Sequence, residues 1–71
     1  MATDKQVQKA HKAVREAGFT GLMFWGIDSK GNCQYEGFDR FKNEVIVRVN
    51  INDNYKIKYR QFRSTVWQNC S

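Results

Sequence analysis

Arg48, Lys56, Lys58 and Arg60 fall at alternate positions of two short segments in which valine, isoleucine and tyrosine fill the positions between. The chemistry this offers is electrostatic: a row of cations for phosphates or carboxylates. Which residues stand together depends on register. Val45, Val47, Val49 and Ile51 alternate with polar positions, and after Asn52-Asp53-Asn54 so do Tyr55, Ile57 and Tyr59. A three-residue loop at 52–54 sets Ile51 opposite Tyr55, Val49 opposite Ile57 and Val47 opposite Tyr59. A two-residue loop would mix valines and lysines on one face, and a one-residue slip exchanges the faces of a strand. The first register puts Arg48, Lys56, Lys58 and Arg60 on one face with Asn50 among them. Arg48 then opposes Lys58, and like charges directly across a strand pair are unfavourable, which invites an anionic partner. The alternative is a solvated sheet face, common in antiparallel sheets.

Ten aromatic residues in 71 is a high density. Phe19, Phe24, Tyr55, Tyr59 and one tryptophan are expected to build the core. Phe24 and Trp25 are neighbours in a strand segment and must face opposite ways. Trp25 beside the cations would be a stacking platform for a base or an anchor in a protein interface. The alternative is that it packs under Trp67 and the tail. Phe38, Phe41 and Phe62 are further candidates for exposed anchors.

The remaining chemistry is sparse. His11 lies at the edge of a helical apolar stripe, and neither Asp4 nor Glu16 shares its face closely enough to act as a second acid or base. Asp28, Glu36, Asp39, Glu44 and Asp53 fall mostly in turns or at strand ends and form no acid–base pair. Cys33 and Cys70 with one histidine do not make a zinc site, which needs four ligands. They are expected to be free thiols. No glycine-rich phosphate loop occurs, and neither a cofactor nor a metal is expected.

These side chains need a scaffold. Residues 3–17 read as a helix with Thr3 as N-cap, Gln6 completing a capping box and Asp4 suiting the helix dipole. Val7, Ala10, Val14 and Ala17 share one arc with Ala13 at its edge, and Gly18-Phe19 form a Schellman-type stop. Lys5, Lys9 and Lys12 occupy the outer face with Arg15 near by, as ordinary surface helix formers. Residues 20–27 and 32–38 read as a hairpin about the turn Asp28-Ser29-Lys30-Gly31, followed by a polar connection at 39–43. With the 44–63 hairpin and a short strand or packed tail carrying Val66 and Trp67, the expected fold is α+β. An N-terminal helix packs on one face of a four- to five-stranded antiparallel sheet, α-β-β-β-β. Nothing is expected to repeat.

Composition agrees. Valine and isoleucine number ten against a single leucine, Leu22, which favours strands. A chain of 71 residues and 8.4 kDa makes a single domain, 1–71, with no room for a second core. No segment has the roughly 18 apolar residues of a membrane span. The polar N-terminus lacks an apolar signal region, so the expected location is cytoplasmic. A net charge of +5 and a pI near 9.5 bear on partners rather than on fold.

The expectation is a small non-enzymatic binding protein whose basic sheet face takes nucleic acid. The alternative is a protein-binding inhibitor or adaptor, of the kind encoded by phages and mobile elements. It would dock on an acidic or nucleic-acid-binding surface of a host protein. A small RNase-like toxin using His11 is the remote third reading.

Overall fold

The computed structural model describes residues 2–70; Met1 and Ser71, which the sequence reading included, lie outside them. Helix α1 spans Asp4–Glu16, followed by strands β1 (Thr20–Ile27), β2 (Asn32–Phe38), β3 (Glu44–Asn50), β4 (Lys56–Gln61) and β5 (Gln68–Asn69). The five strands form one antiparallel sheet in the order β1-β2-β3-β4-β5, with α1 against β3.

The helix ends follow from local chemistry. The Gln6 amide donates to the Thr3 hydroxyl, and the Thr3 amide donates to Gln6 Oε1, so both halves of the capping box form. At the other end the Gly18 amide donates to the Arg15 carbonyl and the Phe19 amide to the Val14 carbonyl, the Schellman pattern. This turn drops Phe19 into the core, where its ring centroid lies 5.5 Å from that of Tyr59.

The core lies between α1 and one face of the sheet. Ala10 and Val14 come from the helix, and Cys33, Tyr35, Val45, Val47 and Val49 from β2 and β3. All are fully buried. Val49 pairs with Ile57, Val47 with Tyr59 and Arg48 with Lys58, as the alternation requires. The connection is longer than three residues, however. Residues 51–55 form the turn, and Asn54 and Tyr55 both adopt positive φ. The end of β3 is drawn toward the first hairpin instead: the Ile51 amide donates to the Gly31 carbonyl, and Asn52 Nδ2 to the Lys30 carbonyl. Ile51 and Tyr55 therefore do not pair.

Three core expectations are corrected. Phe24 remains 45% exposed, because α1 lies over β3 and leaves the β1 edge uncovered. Neither tryptophan joins the helix-side core. Tyr35 does, with no exposed surface, its ring between those of Phe24 at 5.3 Å and His11 at 5.7 Å. Ala17, the C-cap, is exposed at the helix end.

A short repeat does exist. Asp28-Ser29-Lys30-Gly31-Asn32 and Asp39-Arg40-Phe41-Lys42-Asn43 build the same turn at the two ends of β2. In each, the aspartate Oδ1 accepts from two backbone amides and Oδ2 accepts from the asparagine side chain. The hydrogen bonds from Asn32, backbone and side chain, hold the Asp28 carboxyl below its usual range. Partial burial raises that of Asp39, but the bonds from Asn43 and Phe41 outweigh it. The fourth position is left-handed in both: Gly31 at φ 86° and Lys42 at φ 66°. Left-handed backbone costs a non-glycine residue about 1–2 kcal/mol, partly offset by the greater unfolded-state freedom of glycine. Lys42→Gly is therefore expected to stabilise the fold by about 0.5–1 kcal/mol, read as a higher urea midpoint at unchanged m-value.

Both cysteines are free, Cys33 buried and Cys70 half-buried. Burial, with the nearby Asp28 carboxylate, pushes the Cys33 thiol pKa up. No described helix is long and apolar enough to cross a membrane.

Candidate functional site

The face turned away from α1 is ordered by strand register. Gly26, Gln34, Arg48, Lys58 and Asn69 stand side by side across the five strands, and Met23, Glu36, Ile46 and Arg60 form the next row. On the other flank Asn32, Asn50 and Lys56 align. Cations thus occupy the β3–β4 half of the face, while the β1–β2 half carries Met23, Asn32, Gln34 and one carboxylate, Glu36.

The basic half is closed over by the tail. Beyond β4 the chain turns at residues 62–63, and β5 pairs back on β4 through Lys58–Asn69 and Tyr59–Gln68. This brings Trp67 onto the cations. The Arg48 guanidinium lies 4.4 Å from the Trp67 ring centroid and that of Arg60 5.1 Å. Such contacts are worth about 0.5–1 kcal/mol each at exposed sites. Beside the indole is a pocket of about 220 Å³ lined by Arg48, Lys56, Lys58, Asn32 and Asn50. One carboxylate, Asp53, also reaches this lining, leaving three cations against one anion.

The four predicted basic residues divide into two kinds. Lys56 and Lys58 are exposed. Arg48 is half-buried, and its Nε donates to Gln34 Oε1 at 3.2 Å. Arg60 departs from the expectation that all four project freely. It is half-buried, and its Nη1 donates to the carbonyl oxygens of Gln61, Phe62 and Ser64, the last at 2.7 Å. Arg60 is thus a strut that fixes the turn carrying Trp67 to its place.

Trp25 shares the face with the cations and is 64% exposed. A register shift between Phe24 and Gly26 makes it the extra residue of a β-bulge, a feature that re-aims side chains. Its indole Nε1 donates to Glu36 Oε2 at 3.2 Å, so it does not pack under Trp67. At the usual strand spacing it stands about 10 Å from the Arg48 column. Phe41 and Phe62 are exposed in the loops after β2 and β4.

No known protein family, curated protein or solved structure matches the chain.

His11 is half-buried on the helix side of the sheet, with the sheet between it and the basic pocket. The charged side chains near His11 are instead Lys12, Arg15 and Glu16 of its own helix, which line one groove with it. Among the described residues, no group of three or more His, Cys, Asp or Glu side chains could hold a metal ion. The sequence did not mark Trp67 as part of the site or Met23 as its apolar border, whereas Phe38, expected as an exposed anchor, is exposed on this face. For Trp67 no alternation carries across 62–66 to fix its side of the sheet. For Met23 the two bulges of β1 break the parity on which such an assignment depends.

Proposed function

We propose that this protein binds single-stranded nucleic acid on the sheet face opposite the helix. A phosphate sits among Arg48, Lys56 and Lys58, and bases stack on exposed aromatic surface. The observation that carries this reading is the pocket beside Trp67, where three cations line about 220 Å³ next to an indole. Backbone neutralisation supplies most non-specific affinity for nucleic acid, and stacking adds about 1–3 kcal/mol per base. Trp25, on the same face beyond Gln34 and Glu36, is an exposed stacking surface in the single chain.

The testing variant changes Lys56 and Lys58 together to Gln and leaves Arg48 and Arg60, which hold Trp67, untouched. Exposed substitutions usually stay within about 0.5 kcal/mol, so thermal unfolding should be unchanged. Affinity for a fluorescent single-stranded oligonucleotide should fall at least tenfold, about 1.4 kcal/mol. Without the two lysines to neutralise phosphates, fewer counterions are released, and the slope of log K against log salt should become shallower by about 1.4. Equal affinity and equal slope in parent and variant would remove this reading.

A second reading is favoured by one observation: Met23 and Phe38, on this face, are 59% and 42% exposed and carry no polar tip. An inhibitor or adaptor docking on a host protein's acidic or nucleic-acid-binding surface would use them with the same lysines. Substituting Met23 and Phe38 by Ser separates the readings. It leaves oligonucleotide affinity intact if the ligand is nucleic acid, and removes partner binding if the ligand is protein.

A further inference from the structure

Strand β1 ends the sheet on one side, and no strand among the described residues pairs with its outer edge. Natural sheets protect such edges with charge, proline, bulges or short strands. The opposite edge, β5, is two residues long. In contrast β1 is eight residues, Thr-Gly-Leu-Met-Phe-Trp-Gly-Ile, with no charge and no proline. Two bulges interrupt it, one between Thr20 and Met23 and one between Phe24 and Gly26. The segment between them, Met23–Phe24, keeps regular pairing with β2 and presents its other edge.

Both faces of this strand are open as well as its edge. Met23 and Trp25 are 59% and 64% exposed on the face away from the helix, and Phe24 and Ile27 are 45% and 38% exposed on the helix side. Next to Phe24 the offset of α1 leaves an open groove of about 660 Å³, walled by Val7, His11 and Tyr35, with Lys12, Arg15 and Glu16 of the helix also lining it. A fully buried aromatic side chain covers about 150–250 Å², so Phe24 and Trp25, 45% and 64% exposed, offer roughly 220 Å² per copy. A standard interface takes roughly 800 Å² per partner, to which Met23, Ile27, the backbone of the strand and the rim of the groove would add.

We infer that β1 is a homodimer interface: two copies pair β1 to β1 antiparallel about a two-fold axis through Phe24. An uncharged strand can meet its own copy without like charges in apposition, on a chain that carries 12 basic against 7 acidic residues. Register follows from facing. With Phe24 opposite its own copy, Met23 of each chain stands opposite Trp25 of the other on the far face, a favourable sulfur–aromatic pair. The two phenylalanines meet at the mouths of the two grooves. The axis is perpendicular to the sheet, as antiparallel pairing of identical strands demands, so both helices lie on one side. Both basic faces lie on the other, on one continuous ten-stranded sheet.

Sedimentation equilibrium of the parent, without nucleic acid, tests this directly. A concentration-dependent dimer is expected between about 10 and 500 μM, a range that brackets micromolar affinity. A monomer throughout overturns the inference, and leaves the nucleic-acid reading standing. Phe24→Lys and Phe24→Glu, each alone, place like charges at the axis and should be monomeric; mixed one to one they should dimerise again. A dimer that persists in either single variant, or a mixture that stays monomeric, means that the chains do not meet at Phe24. Circular dichroism checks that both variants fold. If either does not, Trp25→Lys at its exposed position takes its place, with loss of the dimer expected and its persistence contrary to the inference.

Discussion

Tyr35→Ala is expected to lower the free energy of unfolding by about 3–4 kcal/mol, near the range for truncating a buried aromatic residue. A domain of 71 residues has roughly 4–10 kcal/mol in total, so much of its stability depends on this ring. Tyr35 has no exposed surface and stands in register between Phe24 and Val47. Alanine there leaves a cavity that neither strand can close, because β2 is held on both sides. Tyr35→Phe should have the opposite sign. The buried Tyr35 hydroxyl has no hydrogen-bond partner among the described residues, and an unsatisfied buried polar group costs about 1–3 kcal/mol. Its removal should stabilise the fold by about 1 kcal/mol and raise Tm by about 4–8 °C. The phenol also sets an alkaline limit. Burial, with Cys33 adding to it, pushes its pKa from 10.0 up to about 12. Below pH 10 both states keep the proton and the stabilisation is complete. Above it the unfolded chain releases the proton while the folded chain retains it, so stability falls as pH rises toward 12. Urea titrations between pH 9 and 12 should show this decline in the parent and a shallower one in Tyr35→Phe.

Gly37→Ala should cost about 3 kcal/mol, the upper end for forcing extra volume into a packed site. A Cβ at position 37 would lie 2.7 Å from the Thr20 carbonyl oxygen and 2.9 Å from Leu22 Cδ2. The Leu22 side chain can rotate, but the carbonyl cannot leave without taking the first bulge of β1 with it. The variant should melt about 12–24 °C lower. Adding Leu22→Ala should not rescue it, since the backbone obstacle remains. Recovery in the double variant would mean that the side-chain contact, not the carbonyl, sets the requirement for glycine.

Much of the fold could be read from local pattern. The Thr3–Gln6 box, the Gly18-Phe19 stop, the Asp28–Gly31 turn and the alternation through 45–49 and 57–59 each act over a few residues, and each forms as expected. Register, and with it the opposition of Arg48 and Lys58, followed from keeping every face consistent. What escaped depends on placement over longer distances. Nothing in the residues of α1 says that it lies over β3 rather than β1, so Phe24 was assigned to the core and Tyr35 was not. Bulges in β1 have no signature beyond glycine, and they upset the alternation that would have placed Met23. The role of Arg60 as a strut arises from three carbonyl oxygens brought round by a turn whose path no periodicity encodes. The repeated Asp-x-x-x-Asn turn was visible in the residues themselves, hidden because its fourth position is Gly once and Lys the other time.

That pair of turns bears on how the chain reaches its native state. Every strand neighbours the one before it in sequence, so no pairing waits on the closure of a long loop, whose entropy cost grows with length. Contacts between sequence-near segments are those that favour rapid folding. Strand β2 carries an aspartate-centred turn at each end, and either can start a hairpin that extends along it. The sheet can thus zip outward from β2 in two directions. The most distant connection left is the docking of α1 on β3, which joins the start of the chain to its middle once the valines of β3 are in line.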